Sequence, residues 1–243
     1  MKVPSTEVQN NFGKYIKIAS ELEDVIITKK GREAAKLVSC EDKPLVREEA
    51  VNYLVSGNQK MSYEQFLKFT ENADARYELI DGEIFLLASP RFSHQMAVTR
   101  LLKIILNGFT GKKCVPLTAP FDITLEKSKN NICVVQPDIV VICDTERVDK
   151  KGRYLGVPSL AVEVLSDSTK SKDMVRKLDL YMRTGVKEYW MVDTEKKEAY
   201  VYCFEKIGEK FDIGDYETVK PGGRIISKAF KGLEIPVDDI FPA

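Results

Sequence analysis

Two carboxylates stand where a carboxylate is hard to keep. Asp138 follows Pro137 inside QPDIVVI, at the start of an apolar run, and Glu163 sits in the middle of LAVEVL. A Glu is almost never fully buried unless it is paired or binds a metal, because its charged form loses its hydration. A salt bridge to a nearby Lys or Arg would satisfy one such residue. Two acids on neighbouring strands are less easily satisfied, since like charges oppose each other's ionisation unless a cation lies between them. Mg²⁺ suits such a pair because it takes oxygen ligands and keeps several waters.

The elements that must position these acids follow from the apolar pattern. SLAVEVLSD and ICVVQPDIVVICD are continuous apolar runs, as expected of central strands covered on both faces. CVPLTAPFDITLE is also strand-like. Upstream, SYEQFLKFT reads as a short helix, and RYELIDGEIFLLASP holds two strands around Asp81-Gly82, a strong hairpin signal. Ser93 can cap the helix HQMAVTRLLKIILNGF, whose apolarity almost all round predicts burial. Ser168 or Thr169 can cap a helix reaching about Arg183. KEYWMVD and KKEAYVYCFEK form a hairpin, and EKFDIGDYETV, GGRIISKAF and LEIPVDDIF read as short strands. The expected fold is α/β, a mixed central sheet flanked by helices.

Residues 1–58 read as a small α+β unit of their own. Ser5 or Thr6 can cap a helix through NNFGKYIKIASEL, where Phe12, Tyr15, Ile16 and Ala19 recur at helical spacing. DVIITKK, the turn GRE and AAKLVSC make a hairpin over residues 24–40. Pro44 starts an amphipathic helix, LVREEAVNYLV, with Leu45, Ala50, Tyr53 and Leu54 available for packing. SGNQK is a linker.

Lys+Arg and Asp+Glu both number 37, so the formal net charge is zero. The simplest footprint of nucleic-acid binding, a strongly basic balance, is therefore missing. A local basic groove would still serve an enzyme whose acidic ligands cancel its basic residues. The five cysteines, Cys40, Cys114, Cys133, Cys143 and Cys203, form no C-x-x-C pair, and only one His could join them. Buried free thiols in a reducing compartment are expected, rather than a zinc site or a disulfide framework. The opening MKVPSTEVQNNF lacks the apolar core of a signal peptide. No apolar stretch approaches the ~20 residues of a membrane helix. Both point to a cytoplasmic protein without membrane contact.

The order RYELIDGEI, SPRFSHQ, VQPDIVVICD, PSLAVEVLSDST, KSKDMVRKLDLYMRTGV and KEYWMVD resembles the Uma-type restriction endonuclease family, within the PD-(D/E)XK nuclease superfamily, over most of residues 61–243. The resemblance implies that Asp138 and Glu163 ligate metal and that Glu78 of RYELI adds a third carboxylate. The E-x-K lysine of the superfamily should stand two residues after Glu163, but that position is Leu165. Lys177 of the next helix could replace it. The stripe Met174, Leu178 and Tyr181 is expected to face inward, with Lys177 and its rival Lys170 at its edge and Lys172, Arg176 and Arg183 projecting away. The bland alternative for Lys177 is a snorkelling surface lysine. His94, the sole histidine, is either a polar helix cap or a phosphate or water contact at the mouth of the site. Gln95 is a weaker candidate of the same kind. Trp190 and the aromatics of EYWMV read as core rather than as a base-stacking platform.

The front segment STEVQNNFGKYIKIA…VIITKKGREAAKLVS resembles the Phd/YefM antitoxin fold over about residues 1–55. That resemblance implies dimerisation and operator DNA binding. The basic residue that commonly follows S-x-E in that family is replaced here by Gln9, which leaves Lys29, Lys30 and Arg32 as phosphate-contact candidates.

The expectation is thus a Phd/YefM-like dimerisation or DNA-binding module over residues 1–58 and a PD-(D/E)XK-type nuclease domain over 59–243. The latter would hydrolyse nucleic-acid phosphodiesters, DNA foremost, with Mg²⁺ or Mn²⁺. Its catalytic residues would be Glu78, Asp138, Glu163 and Lys177, and His94 and Lys170 would contact nucleic acid. A homodimer is expected, and a toxin partner is compatible with the front module. The competing reading is a catalytically inactive nucleic-acid-binding regulator of toxin–antitoxin type.

Overall fold

The computed structural model of the chain describes residues 2–10, 12–21, 25–37, 60–165 and 172–241. The helix expected over 45–55, most of the SGNQK segment, Cys40, the caps Ser168 and Thr169, and Lys170 lie outside the described residues. The chain divides into two compact units, Met1–Val55 and Ser56–Ala243.

The first unit is a three-stranded sheet covered by two short helices. Its elements are β1 (Lys2–Pro4), α1 (Ser5–Asn10), α2 (Phe12–Glu21), β2 (Val25–Lys29) and β3 (Arg32–Leu37), with sheet order β1-β2-β3. Lys30 and Gly31 both take positive φ at the hairpin tip, as a tight two-residue turn requires. β1, parallel to β2, was not expected from sequence. Ser5 and Thr6 lie inside α1 rather than capping the longer helix. Val3, Val8, Tyr15, Ala19 and Val25 form the core, while Phe12, expected to pack, is 52% exposed.

The second unit opens with α3 (Tyr63–Thr70), held by a capping box in which the Ser62 hydroxyl accepts from Gln65 N–H and the Gln65 side chain accepts from Ser62 N–H. β4 (Tyr77–Ile80) and β5 (Glu83–Leu86) follow, joined by Asp81 and Gly82, both at positive φ as the D-G signal predicts. α4 (Phe92–Phe109) comes next. Its N-cap is Arg91, not Ser93, and no side chain bonds the cap. Only one of its faces is buried, through Ala97, Val98, Leu101, Ile105 and Phe109, whereas Leu106 is exposed on the other. The expectation of all-round burial is thus corrected: one face of α4 meets one face of a sheet.

The apolar stretches on either side of the site are interrupted. β6 (Val115–Thr118) and β7 (Ile123–Ser128) are separated at the cis Ala119–Pro120 peptide, and β8 (Asn131–Val135) and β9 (Ile139–Ile142) at Gln136-Pro137-Asp138. Each half joins a different sheet. Proline cannot donate to a ladder, so both runs change sheet where a proline stands. β10 (Leu160–Leu165), α5 (Lys172–Thr184) and β11 (Glu188–Asp193) then form a parallel crossover unit. β12 (Glu198–Ile207) and β13 (Lys210–Val219) extend the sheet, and β14 (Arg224–Ile226) pairs with β15 (Glu234–Pro236). The six-stranded sheet runs β13-β12-β11-β10-β9-β6, and a four-stranded sheet runs β5-β4-β8-β7.

Two apolar cores lie on opposite faces of the six-stranded sheet. On one, Val162, Val164, Trp190 and Val192 pack against α4 and the tail residues Leu233, Ile235, Ile240 and Phe241. On the other, Ala161, Leu165, Tyr189 and Met191 pack with Leu180 and Tyr181 of α5 and with Ile80, Ile123, Leu125 and Val135 of the smaller sheet. The mixed α/β architecture is as expected, but one face of the large sheet is covered partly by a second sheet.

One expectation about cysteines is overturned. Cys114 and Cys143 form a disulfide, while Cys133 and Cys203 are free and buried. Val115 pairs with Ile142 across the β6–β9 ladder, so Cys114 and Cys143 meet at its next position. Linear spacing carries no such information; strand register creates the pair.

Candidate active site

The site lies where the chain leaves one sheet for the other. The β9–β10 ladder pairs Val162 with Ile139, and Glu163 stands at the next rung opposite Asp138. β9 begins only after Asp138, so Val164 N–H faces β9 with no backbone acceptor there. The Asp138 carboxylate supplies one, accepting from Val164 N at 2.7 Å. Glu78 does the same service at the end of β8, where its Oε1 accepts from Gln136 N at 2.8 Å. Buried backbone donors need partners, and two carboxylates provide them at this seam.

Glu163 points to the α5 side of the sheet, in step with Ala161 and Leu165. There it meets Lys177. The ammonium donates to Glu163 Oε1 at 2.9 Å and to Glu78 Oε1 at 2.9 Å. Tyr181, one turn further along α5, donates its hydroxyl to the same Glu163 oxygen at 3.0 Å. Lys177 is only 8% exposed. It is no snorkelling lysine and does not sit at the helix edge. It shares the inward face with Leu180 and Tyr181, because two carboxylates compensate the burial of its charge. The companion expectations for α5 hold for Arg176 and Arg183, which pair with Glu83 and Asp179.

Electrostatics follow from this packing. Burial pushes the Glu163 carboxyl up to about 7; Lys177 opposes that, and the charges of Asp138 and Glu78 reinforce it. Burial would lower the Lys177 pKa, but Glu163 and Glu78 outweigh it and raise it. His94, on the first turn of α4, places Nε2 3.2 Å from Asp138 Oδ2. Burial lowers the histidine pKa, and the Asp138 hydrogen bond and charge reverse this to a net rise. Its Nδ1 is buried with no hydrogen-bond partner among the described residues. His94 is thus no helix cap; its imidazole stands against the Asp138 carboxylate.

A cavity of about 460 Å³ opens above these groups. It is lined by Glu78, His94, Asp138, Glu163 and Lys177, together with Gln95, Gln136, Arg76 and Arg91. The structure therefore brings together Glu78, Asp138, Glu163, Lys177, His94 and Gln95. Lys29, Lys30 and Arg32 belong to the other unit, exposed around the β2–β3 tip. Sequence reasoning missed Tyr181 as a partner of Glu163, Gln136, and the two cavity arginines. The arginines were visible within the motifs RYELI and SPRFSHQ, and only their cationic character could have drawn notice.

Among the described residues no group of three or more His, Cys, Asp and Glu side chains stands ready to hold an ion. Glu78 and Glu163 converge on an ammonium instead, and Asp138 turns to His94 and Val164. The donor set still fits a hard divalent cation in kind. It consists of carboxylates, and the second oxygens of Asp138 and Glu163 accept no hydrogen bond among the described residues.

Comparison with known proteins agrees with this architecture. Residues 63–238 match the family model Uma2, described as "Putative restriction endonuclease". Residues 1–48 match the antitoxin Phd_YefM model of type II toxin–antitoxin systems. The chain is 29% identical over 185 residues to the uncharacterized protein slr1290 of Synechocystis sp., spanning 75% of this chain and 92% of that protein. It also resembles the crystal structure of "a putative nuclease belonging to DUF820" from Anabaena variabilis, with a TM-score of 0.60 at 17% identity, covering 74% of this chain and 97% of the other. At that identity the likeness shows the fold. No helix among the described residues is long and apolar enough to cross a membrane.

Proposed function

The chain belongs to the Uma2 family, and on that premise we propose that residues 59–243 form a divalent-metal-dependent endonuclease that hydrolyses nucleic-acid phosphodiesters, with DNA as the first substrate to test. The observation that carries this reading is the cationic Lys177 held between Glu78 and Glu163, with Glu163 opposite Asp138 across the β9–β10 ladder. A set of acids and one lysine is what phosphodiester hydrolysis asks of a protein, whichever element the lysine comes from.

Asp138 and Glu163 would hold Mg²⁺ or Mn²⁺, with Glu78 adjacent. When bound, the ion supplies an activated water and neutralises charge on the phosphoryl group. The chain's own residues do the positioning. His94 and Val164 N–H fix the Asp138 carboxylate. Tyr181 fixes Glu163. Glu78, anchored by Gln136 N–H, aims the Lys177 ammonium into the cavity, where it can meet a phosphate oxygen. Glu163, raised to about 7, can hold or release a proton near neutral pH.

The front module would dimerise the protein or place Lys29, Lys30 and Arg32 against DNA phosphates. A second reading has support of its own. Lys177 bridges both glutamates and, among the described residues, no ion site is preassembled, which suits a nucleic-acid-binding regulator without turnover. Incubation with DNA and RNA in Mg²⁺ or Mn²⁺ separates the two. Cleavage that EDTA abolishes supports the nuclease; binding without cleavage supports the regulator.

A further inference from the structure

The cavity has an acidic floor and a different lip. The lip is built from the end of β5, the following residues 87–90 and the first turn of α4. Leu86 is 61% exposed and Phe92, the first residue of α4, is 78% exposed. Leu86, Arg76, Arg91 and Gln95 line the cavity, and Leu87 N–H donates to the Arg76 carbonyl, which sets Arg76 beside the lip. Phe92 precedes Gln95 by three residues, so the two share a helix face, with Phe92 one turn nearer the end of α4. A phenyl ring this exposed adds nothing to the core. With Leu86 it places exposed apolar surface beside the cavity.

We propose that this lip binds single-stranded nucleic acid, with one base stacked on Phe92, the adjoining phosphates along Arg76 and Arg91, and the next nucleotide entering the cavity. The inference rests on the nuclease reading for what lies at the floor, and it adds the substrate class. Three observations carry it. An exposed aromatic ring accepts the face of an unpaired base whatever its identity, whereas paired bases in a duplex have their faces already covered. The carboxylates are sunk: Glu78 is 3% and Glu163 9% exposed, beneath a cavity of about 460 Å³. That volume is of small-molecule size. A duplex is stiff and presents its phosphates on a broad cylinder, whereas a flexible single strand can bend one nucleotide down to acids at this depth. Finally, two arginines lining the cavity suit a short, flexible stretch of backbone, and guanidinium planes add to base stacking.

The test is binding of the full chain, in EDTA, to fluorescently labelled oligothymidylate, to oligouridylate and to a duplex of equal length, read by anisotropy. Phe92→Ala should weaken single-strand binding about tenfold, the scale of one lost stacking contact, and leave duplex binding unchanged. Phe92→Trp should restore binding, and its indole emission should be quenched on single strands, since the one native tryptophan, Trp190, is buried. The thymidylate and uridylate arms tell DNA from RNA, and binding to either supports the proposal. Absence of single-strand binding, indifference to Phe92→Ala, or equal losses on single strand and duplex would each overturn it. Phe92 is exposed, so both variants should melt as the parent does. Because binding is read in EDTA, failure of the nuclease reading appears separately, as intact single-strand binding with no cleavage in a parallel Mn²⁺ incubation.

Discussion

Lys177 and Glu163, fourteen residues apart, are joined by a 2.9 Å hydrogen bond between buried groups. The contact spans the crossover from β10 into α5, so the helix that returns the chain to the sheet also returns a cation to the acid it has just passed. The same ammonium holds Glu78 of the smaller sheet. One lysine therefore ties three elements together.

Replacing Lys177 should hurt twice. Lys177→Met leaves Glu78 and Glu163 facing each other in a buried site, and breaking a buried pair in this way costs about 3–5 kcal/mol. Turnover should also fall roughly 10²–10³-fold, the loss typical of one preorganised donor to transition-state charge. Melting and cleavage are to be measured separately, with rates taken well below the melting point. A variant that melts as wild type and cuts at full rate removes Lys177 from both roles.

Glu163 makes stability depend on pH in a definite direction. Its carboxyl is raised from the usual range to about 7, so the folded protein holds that proton more tightly than the unfolded chain. The resulting stability is fully present below the unfolded carboxyl pKa and is lost as pH rises through about 7. The melting temperature should therefore drop between pH 5 and pH 8. Glu163→Gln should flatten that drop, and calorimetry across this range checks it. An unaltered slope in the variant would assign the dependence to other groups.

Metal should act through Asp138 and Glu163. If they hold Mn²⁺, melting temperature rises with its concentration, by about 2.7 kcal/mol of stability at a hundredfold excess over Kd. Asp138→Asn should abolish the shift. An equal shift in the variant would place the ion elsewhere.

Removing the hydroxyl of Tyr181 tests positioning more gently. Tyr181→Phe deletes the bond to Glu163 Oε1 but leaves the ring packed against Tyr189. A loss of about 1 kcal/mol in stability is expected, the usual net worth of one hydrogen bond. Cleavage should weaken through kcat rather than KM, because the hydroxyl orients a floor residue and does not touch the incoming strand.

The front module should govern assembly. Cores of this size are marginal alone. Deleting residues 1–58 should change the oligomeric state seen by light scattering while leaving a folded remainder. The same mass per particle for both proteins would sink the dimerisation role.

Asp138 and Glu163 were legible in the sequence because charge inside an apolar strand is a local contradiction that a reader can see. Lys177 was legible in position, since a strand feeding straight into a helix brings that helix back over the sheet. Its burial was not, because compensation by Glu78 depends on a contact ninety-nine residues away in the chain. The hairpin at Asp81-Gly82 was written in its turn residues. The division of each long apolar run between two sheets was signalled only by Pro120 and Pro137 and was read through. The Cys114–Cys143 pair and the Asp138 bond to Val164 arise from strand register, which apolar periodicity does not specify when both faces are buried.

The tail residues packed beneath α4 set an order of events during synthesis. Arg100 of α4 donates to the carbonyl of Phe241, and Ile235, Val237, Ile240 and Phe241 complete the core on that face. The helix bearing His94 therefore emerges from the ribosome long before its lid of apolar partners exists. The front unit, whose residues all precede Ser56, can close first. A nascent chain would therefore have all residues of its front unit outside the ribosome while the larger unit still waits for residue 241 to complete the core over α4.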